Sequence, residues 1–171
     1  MSSIASFHII PLGKESSLLA ASEVVRNTTT KGFLFFKKES VETVDELWNF
    51  LNEFGQKQPA FEFSGYAFNS LELLLEDQKV GLYQYEKQPT SDAFRNGRDD
   101  FGSIFDASGA KQTLSALKGA NLSDSAIQEF MQQEYPEEDL ADGIEAVRAA
   151  ADIFERWLEA VQENEIGLLI F

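Results

Sequence analysis

The chain has no cysteine, one histidine and four prolines in 171 residues. Without thiols, disulfides, cysteine nucleophiles and sulfur-ligated zinc are excluded. A Ser-His-Asp relay would have to use His8, and no Gly-x-Ser-x-Gly turn is present to hold its nucleophile. His8 shares an alternating face with Ile4, Ser6 and Ile10, which predicts a structural histidine. Cations are scarce too. Fourteen Lys and Arg against twenty-nine Asp and Glu leave a net charge of −15. Phosphate backbones and anionic lipid heads bind through Lys and Arg, so neither nucleic acid nor membrane is an expected partner. No run of about eighteen apolar residues is available to cross a bilayer. The start, Met1-Ser-Ser-Ile-Ala-Ser6, lacks the basic and apolar stretches of a secretory signal, so a cytoplasmic location is expected.

What the chain does have is core-forming material. It is 43% hydrophobic and 12% aromatic, and no Ser, Gly or Pro tract divides it, so one domain spanning 1–171 is expected. Ser3 to Ile10 alternates as a strand, with Ala5, Phe7 and Ile9 on one face. Leu18, Leu19 and Val25 suit a short helix, and Gly32 to Phe36 a buried strand closed by Lys37 and Lys38. Thr43-Val-Asp-Glu46 has the form of a capping box ahead of a helix that ends at Gly55. A helix over 66–78 and a strand over 80–85 follow. Between Glu86 and Asp100 the apolar pattern lapses, predicting a long loop. A strand at 101–105, a helix from Asp106 or Ser108 to Leu117 and a helix opened by Ser123 or Asp124 come next. Leu140, Ile144, Val147, Ala151, Phe154, Leu158 and Val161 then step by four and three, predicting an amphipathic helix from about 137 to 163. Ile166 to Phe171 closes as a strand. The pattern predicts an α+β fold, with a small mixed or antiparallel sheet and one long helix across it.

Charge is distributed unevenly along this plan. From Asn121 onward there are thirteen acids and two bases, Arg148 and Arg156. Carboxylates at 134–142 complement the positive end of the last helix, and Asp152 is spaced to pair with Arg148 and Arg156. Glu155, Glu159 and Glu163 stand four apart with no cation between them, an arrangement the helix itself disfavours. Such a ridge serves solubility, or else it docks a cationic surface by electrostatic steering. Asp152, Glu155, Glu159 and Glu163 are therefore the candidate partner-binding residues, and a basic protein is the candidate partner.

Catalytic candidates are fewer. Asp99 and Asp100, assisted by Arg98 and Arg95 beside the predicted loop, have the residue types of acid–base hydrolysis, a composition shared by any salt-bridged loop. Asp99, Asp100 and Asp106 lack the spacing of a cation loop, so no metal and no cofactor is expected. Asp100-Phe-Gly102 matches the magnesium tripeptide of protein kinases by chance, since no glycine-rich phosphate loop accompanies it. Phe61, Phe63, Tyr66 and Phe68 around Gly65, with Tyr83 and Tyr85, are core by composition. Exposure of Phe63 and Tyr66 would instead mark a concave patch for a ligand or a partner's side chain.

The Ser-rich helix start near Ser108, the Tyr135-Pro136 pair, the acidic patch, the long helix and the ending Gly167-Leu-Leu-Ile-Phe171 resemble the carboxy-terminal half of the YfbM-like family of small bacterial proteins. That resemblance implies an α+β fold and names no activity. Together these features lead to the expectation of a non-catalytic, immunity-like protein-binding module that docks a basic partner, with an acid–base hydrolase at Arg95 to Asp106 as the alternative.

Overall fold

In the computed structural model, residues 4–31, 38–98, 100–136 and 140–171 are described. Four strands form an antiparallel sheet: β1 (Ser6–Pro11), β4 (Gln56–Lys57), β5 (Gly102–Asp106) and β6 (Glu165–Ile170), in the order β4-β1-β6-β5. The last strand lies at the centre, with Ser6 opposite Ile170 on one side and Gly102 opposite Ile170 on the other. Alternation sorts its side chains to two faces, and each face is covered by helices. Phe7, Ile9, Phe105 and Leu169 join α3 (Tyr66–Asp77), α5 (Ala107–Gly119), α6 (Asp124–Glu134) and α7 (Leu140–Glu159) in one core. Ile10, Ile104, Ile166, Leu168 and Ile170 join α1 (Glu15–Ser22), α2 (Leu47–Phe54) and α4 (Gln88–Gly97) in the other. The fold is α+β in three layers, with the sheet in the middle. Fully buried Trp157 binds the larger core together, stacking on Phe7 and Phe68 at 5.5 and 5.7 Å between ring centres.

A second sheet, the arm, has two strands. Strands β2 (Val25–Lys31) and β3 (Lys38–Val44) pair antiparallel from Val25 opposite Val44 to Lys31 opposite Lys38.

Several expectations are met closely. The alternating β1, the helix at 66–77, the helix capped by Asp106 (whose Oδ1 accepts from Gly109 N at 2.8 Å), the helix from Asp124 and the terminal strand all form. Others need correction. Val25 belongs to β2, because α1 ends at Ser22. The predicted strand at 32–36 lies outside the described residues.

The capping box at 43–46 does not form. Thr43 is taken into the arm opposite Arg26, and Asp45 Oδ1 accepts from Leu47 N at 3.1 Å instead. No strand forms over 80–85, because α3 exits through Lys79 in the left-handed region (φ 61°) while Val80 N reaches back to Leu75 O at 2.9 Å. That reversal feeds turns.

The predicted long loop is helix α4. Pro89 occupies its first turn, and its buried side is built from Thr90, Ser91 and Phe94. Thr90 donates to Glu15 Oε1 at 2.6 Å, and Ser91 Oγ accepts from Ile104 N at 2.9 Å. Hydrogen bonds do there what apolar periodicity does elsewhere, so hydropathy missed the helix. Finally, α7 ends at Glu159 rather than near 163. Tight bonds from Ala160 N to Trp157 O and Val161 N to Leu158 O close it, and buried Val161 turns the chain back toward β6.

Candidate protein-binding face

Of the catalytic candidates, Arg98 and Asp100 are paired with each other. Asp99 lies outside the described residues. Arg98 has a side chain only 4% exposed and is spent on two carboxylates. Its guanidinium donates to both oxygens of Asp45 at 3.1 and 3.0 Å and, through Nε and a terminal nitrogen, to Asp100 Oδ2 at 2.9 and 2.7 Å. Burial works against its charge, but its hydrogen bonds to Asp45 and Asp100 outweigh it and raise its pKa. The Arg98 hydrogen bonds in turn hold the Asp45 carboxyl below its usual range.

Arg95 is likewise engaged, with Glu86 at 2.9 Å and Asp92 at 2.6 Å. These pairs fasten elements together. Arg98 joins the end of α4 to Asp45 at the root of the arm, where Val24 N also bonds Gly97 O at 3.0 Å. The neighbouring cleft of about 430 Å³ is lined by Arg26, Arg95 and Arg98 and, among the described residues, by no carboxylate. Among the described residues, no group of three or more acidic or histidine side chains could hold a metal ion.

The anionic ridge is less bare than its spacing predicts. Lys118 on α5 reaches Glu159 at 2.6 Å and Glu155 at 3.9 Å, because α5 packs beside α7. Hydrogen bonding to Glu159 raises the pKa of the lysine. Arg148 pairs with Asp124 of α6 rather than with Asp152. Glu163 lies beyond the end of α7, in a hollow of about 690 Å³ that also takes in Lys111 and Glu159. The expectation of a cation-free row fails because helical spacing sees one helix, while the cation comes from another.

Asp152 sits elsewhere, on the rim of a trough between α7 and the segment that leads into α3. Trp157 Nε1 donates to Pro59 O at 3.0 Å and pins that segment. Phe61 then buries against Phe68 at 5.2 Å, and Phe63 is left half-buried over the helix. Under it, α7 presents Gly143, Ala146, Ala149 and Ile153, so a channel stays open. A Cβ at Gly143 would come within 2.5 Å of Met131 Cε, so this glycine also lets α6 approach.

The trough consists of two hollows of about 220 and 240 Å³ that share Phe63. Tyr66, 62% exposed, walls one end, and Arg156 closes the other. Glu62, Asp142 and Asp152 line it. Among the described residues, none of the three makes an ion pair or hydrogen bond. Tyr66 is exposed and Phe63 half-buried, whereas Phe61 and Phe68 are buried in the core, so the aromatic group divides between the two readings. The sequence pattern predicts a helix-dipole role for Asp142 and carries no signal for Glu62. The available signal was the small-residue spacing 143, 146, 149 on the face toward Phe63.

Compared with known proteins, the chain matches no family model, no curated protein and no solved structure. The face has to be interpreted from its own chemistry.

Proposed function

We propose that the chain is a non-catalytic protein-binding module, immunity-like in form, whose partner lays a basic and apolar segment into the α7 trough. The observation that carries this is the combination of exposed aromatic and aliphatic surface with three carboxylates that have no partner. An aliphatic or aromatic side chain gains burial there, and a lysine or arginine beside it meets an unpaired acid without first breaking an internal ion pair. Glu155 and Glu159 are weaker candidates, since a partner has to compete with Lys118. The hydrolase alternative needs Asp100 and Arg98 free to act on a substrate, and each already neutralises the other.

Titration with a synthetic peptide of alternating lysine and phenylalanine tests the proposal. Amide resonances of Ala146, Ala149 and Ile153 should shift at about 0.1 M salt and return at about 1 M, as the screening length falls from about 10 Å to about 3 Å. A glutamate–phenylalanine peptide should leave them in place. Shifts confined to other surfaces, or equal shifts with both peptides, would overturn it.

A further inference from the structure

We infer that the hollow between α5 and the end of α7 binds a small zwitterion, an aliphatic α-amino acid, at a site separate from the trough. Two cavities meet there. One, of about 690 Å³, lies between α5 and the turn that carries α7 into β6, and its neighbour, of about 430 Å³, reaches the start of α5. Lys111 and Glu163 line both. The first cavity falls within the size range of small-ligand sites, roughly 300–1,000 Å³.

The charged side chains around these cavities divide into engaged and free. Glu159 takes Lys118 at 2.6 Å, and Glu165 Oε2 accepts from Gln162 N at 3.0 Å. Lys87 is paired with Glu15, and Asp106 Oδ1 accepts from Gly109 N at 2.8 Å. Among the described residues, the side chains of Lys111 and Glu163 make no ion pair or hydrogen bond, with each other or with any other group. One cation and one anion are therefore left on the same space. A ligand of single charge would answer one of them and be repelled by the other, whereas a zwitterion answers both with charge-assisted hydrogen bonds.

The rest of the lining suits an aliphatic side chain. Lys111 and Leu114 are three apart on one face of α5, and Leu114 is partly exposed. Leu158 and Val161, both buried, complete the apolar wall. The turn that carries Val161 and Glu163 is fastened along its length, by Val161 N to Leu158 O at 3.2 Å, Glu165 N to Gln162 O at 3.0 Å and Leu12 N to Asn164 O at 2.8 Å. A wall held in place before binding loses little freedom when a ligand arrives. The ligand's ammonium meets Glu163, its carboxylate meets Lys111, and its side chain lies on Leu114. Being neutral overall, such a ligand is not deterred or drawn by the net charge of −15.

Leucine titrated into the full chain tests this, followed by the amide and methyl resonances of Leu114 and Val161. Saturable shifts with a Kd of about 1 mM or tighter are expected. Leucinamide lacks the carboxylate, isocaproate lacks the ammonium and glycine lacks the side chain, so each should bind about tenfold or more weakly than leucine. Lys111→Met and Glu163→Gln should each weaken leucine about tenfold or more, whereas Lys57→Met on β4 should leave it unchanged. Lys111 and Glu163 are exposed, and unchanged circular dichroism verifies that their variants fold.

Absence of saturable shifts at Leu114 and Val161 up to about 10 mM leucine overturns the inference. So does leucinamide or isocaproate binding as tightly as leucine, or leucine affinity that both substitutions leave intact. Failure here is distinct from failure of the protein-binding reading, because the lysine–phenylalanine peptide is followed at Ala146, Ala149 and Ile153 in the trough.

Discussion

His8 is the residue whose surroundings are least ordinary. It is buried on the α2 face of β1, its ring 6.5 Å from Trp48, and among the described residues neither ring nitrogen has a hydrogen-bond partner. Desolvation, with a smaller contribution from Lys57, lowers its pKa from 6.5 to about 4. The unfolded chain therefore binds a proton between those values that the folded chain refuses. Stability from this residue is complete above about pH 6.5 and is lost as pH falls toward 4, to a total of about 3 kcal/mol at 1.36 kcal/mol per pKa unit. His8→Leu should flatten the denaturation midpoint between pH 6.5 and 4 relative to the parent. An undiminished slope in that variant would show that other groups set it. The sequence indicated a structural histidine from its alternating strand position. It did not indicate that the nitrogens would go unpaired, because that depends on which helix covers the strand.

Among the elements, α4 and the arm depend on each other through Arg98. Removing the guanidinium leaves Asp45 and Asp100 facing one another without a cation and frees the arm's root. Since both acids are partly exposed, Arg98→Ala should cost about 1–3 kcal/mol, below the range of a fully buried pair. Limited proteolysis should cut between residues 22 and 46 faster than in the parent; an unchanged cleavage rate would mean the root is held without Arg98.

Legibility divides along the same line. Elements with apolar periodicity, such as β1, α3, α7 and β6, were readable because their burial is paid by side chains the pattern counts. Helix α4 was not, since Thr90 and Ser91 satisfy the buried face by hydrogen bonds to Glu15 and Ile104. The trough was half readable: the aromatic group at 61–68 and Asp152 stood out, but their meeting required Trp157 to hold Pro59 against α7. The acidic ridge was over-read because Lys118 is remote in sequence from Glu155 and Glu159.

For the whole molecule, a net charge of −15 makes the folded state repel itself. Raising salt from about 0.01 M to about 0.15 M shortens the screening length from about 30 Å to about 8 Å and should raise the melting temperature of the isolated chain at neutral pH. Peptide binding should weaken over the same range. The two trends have opposite signs, so calorimetry with and without the peptide on one set of samples separates intramolecular repulsion from intermolecular attraction. A melting temperature that falls with salt would show that internal pairs such as Arg98 with Asp45 and Lys87 with Glu15 dominate instead. Among the described residues no helix is long and apolar enough to cross a membrane.

The central place of β6 also bears on synthesis. Ser6 precedes its ladder partner Ile170 by 164 positions. Until Ile170 is made, among the described residues β1 has only the two-residue β4 beside it and β5 has no neighbouring strand. Closing so distant a pairing is slow compared with local helix formation, so nascent chains must wait with two apolar edges uncovered. The exposure of those edges before β6 docks follows from where one strand sits in the chain order.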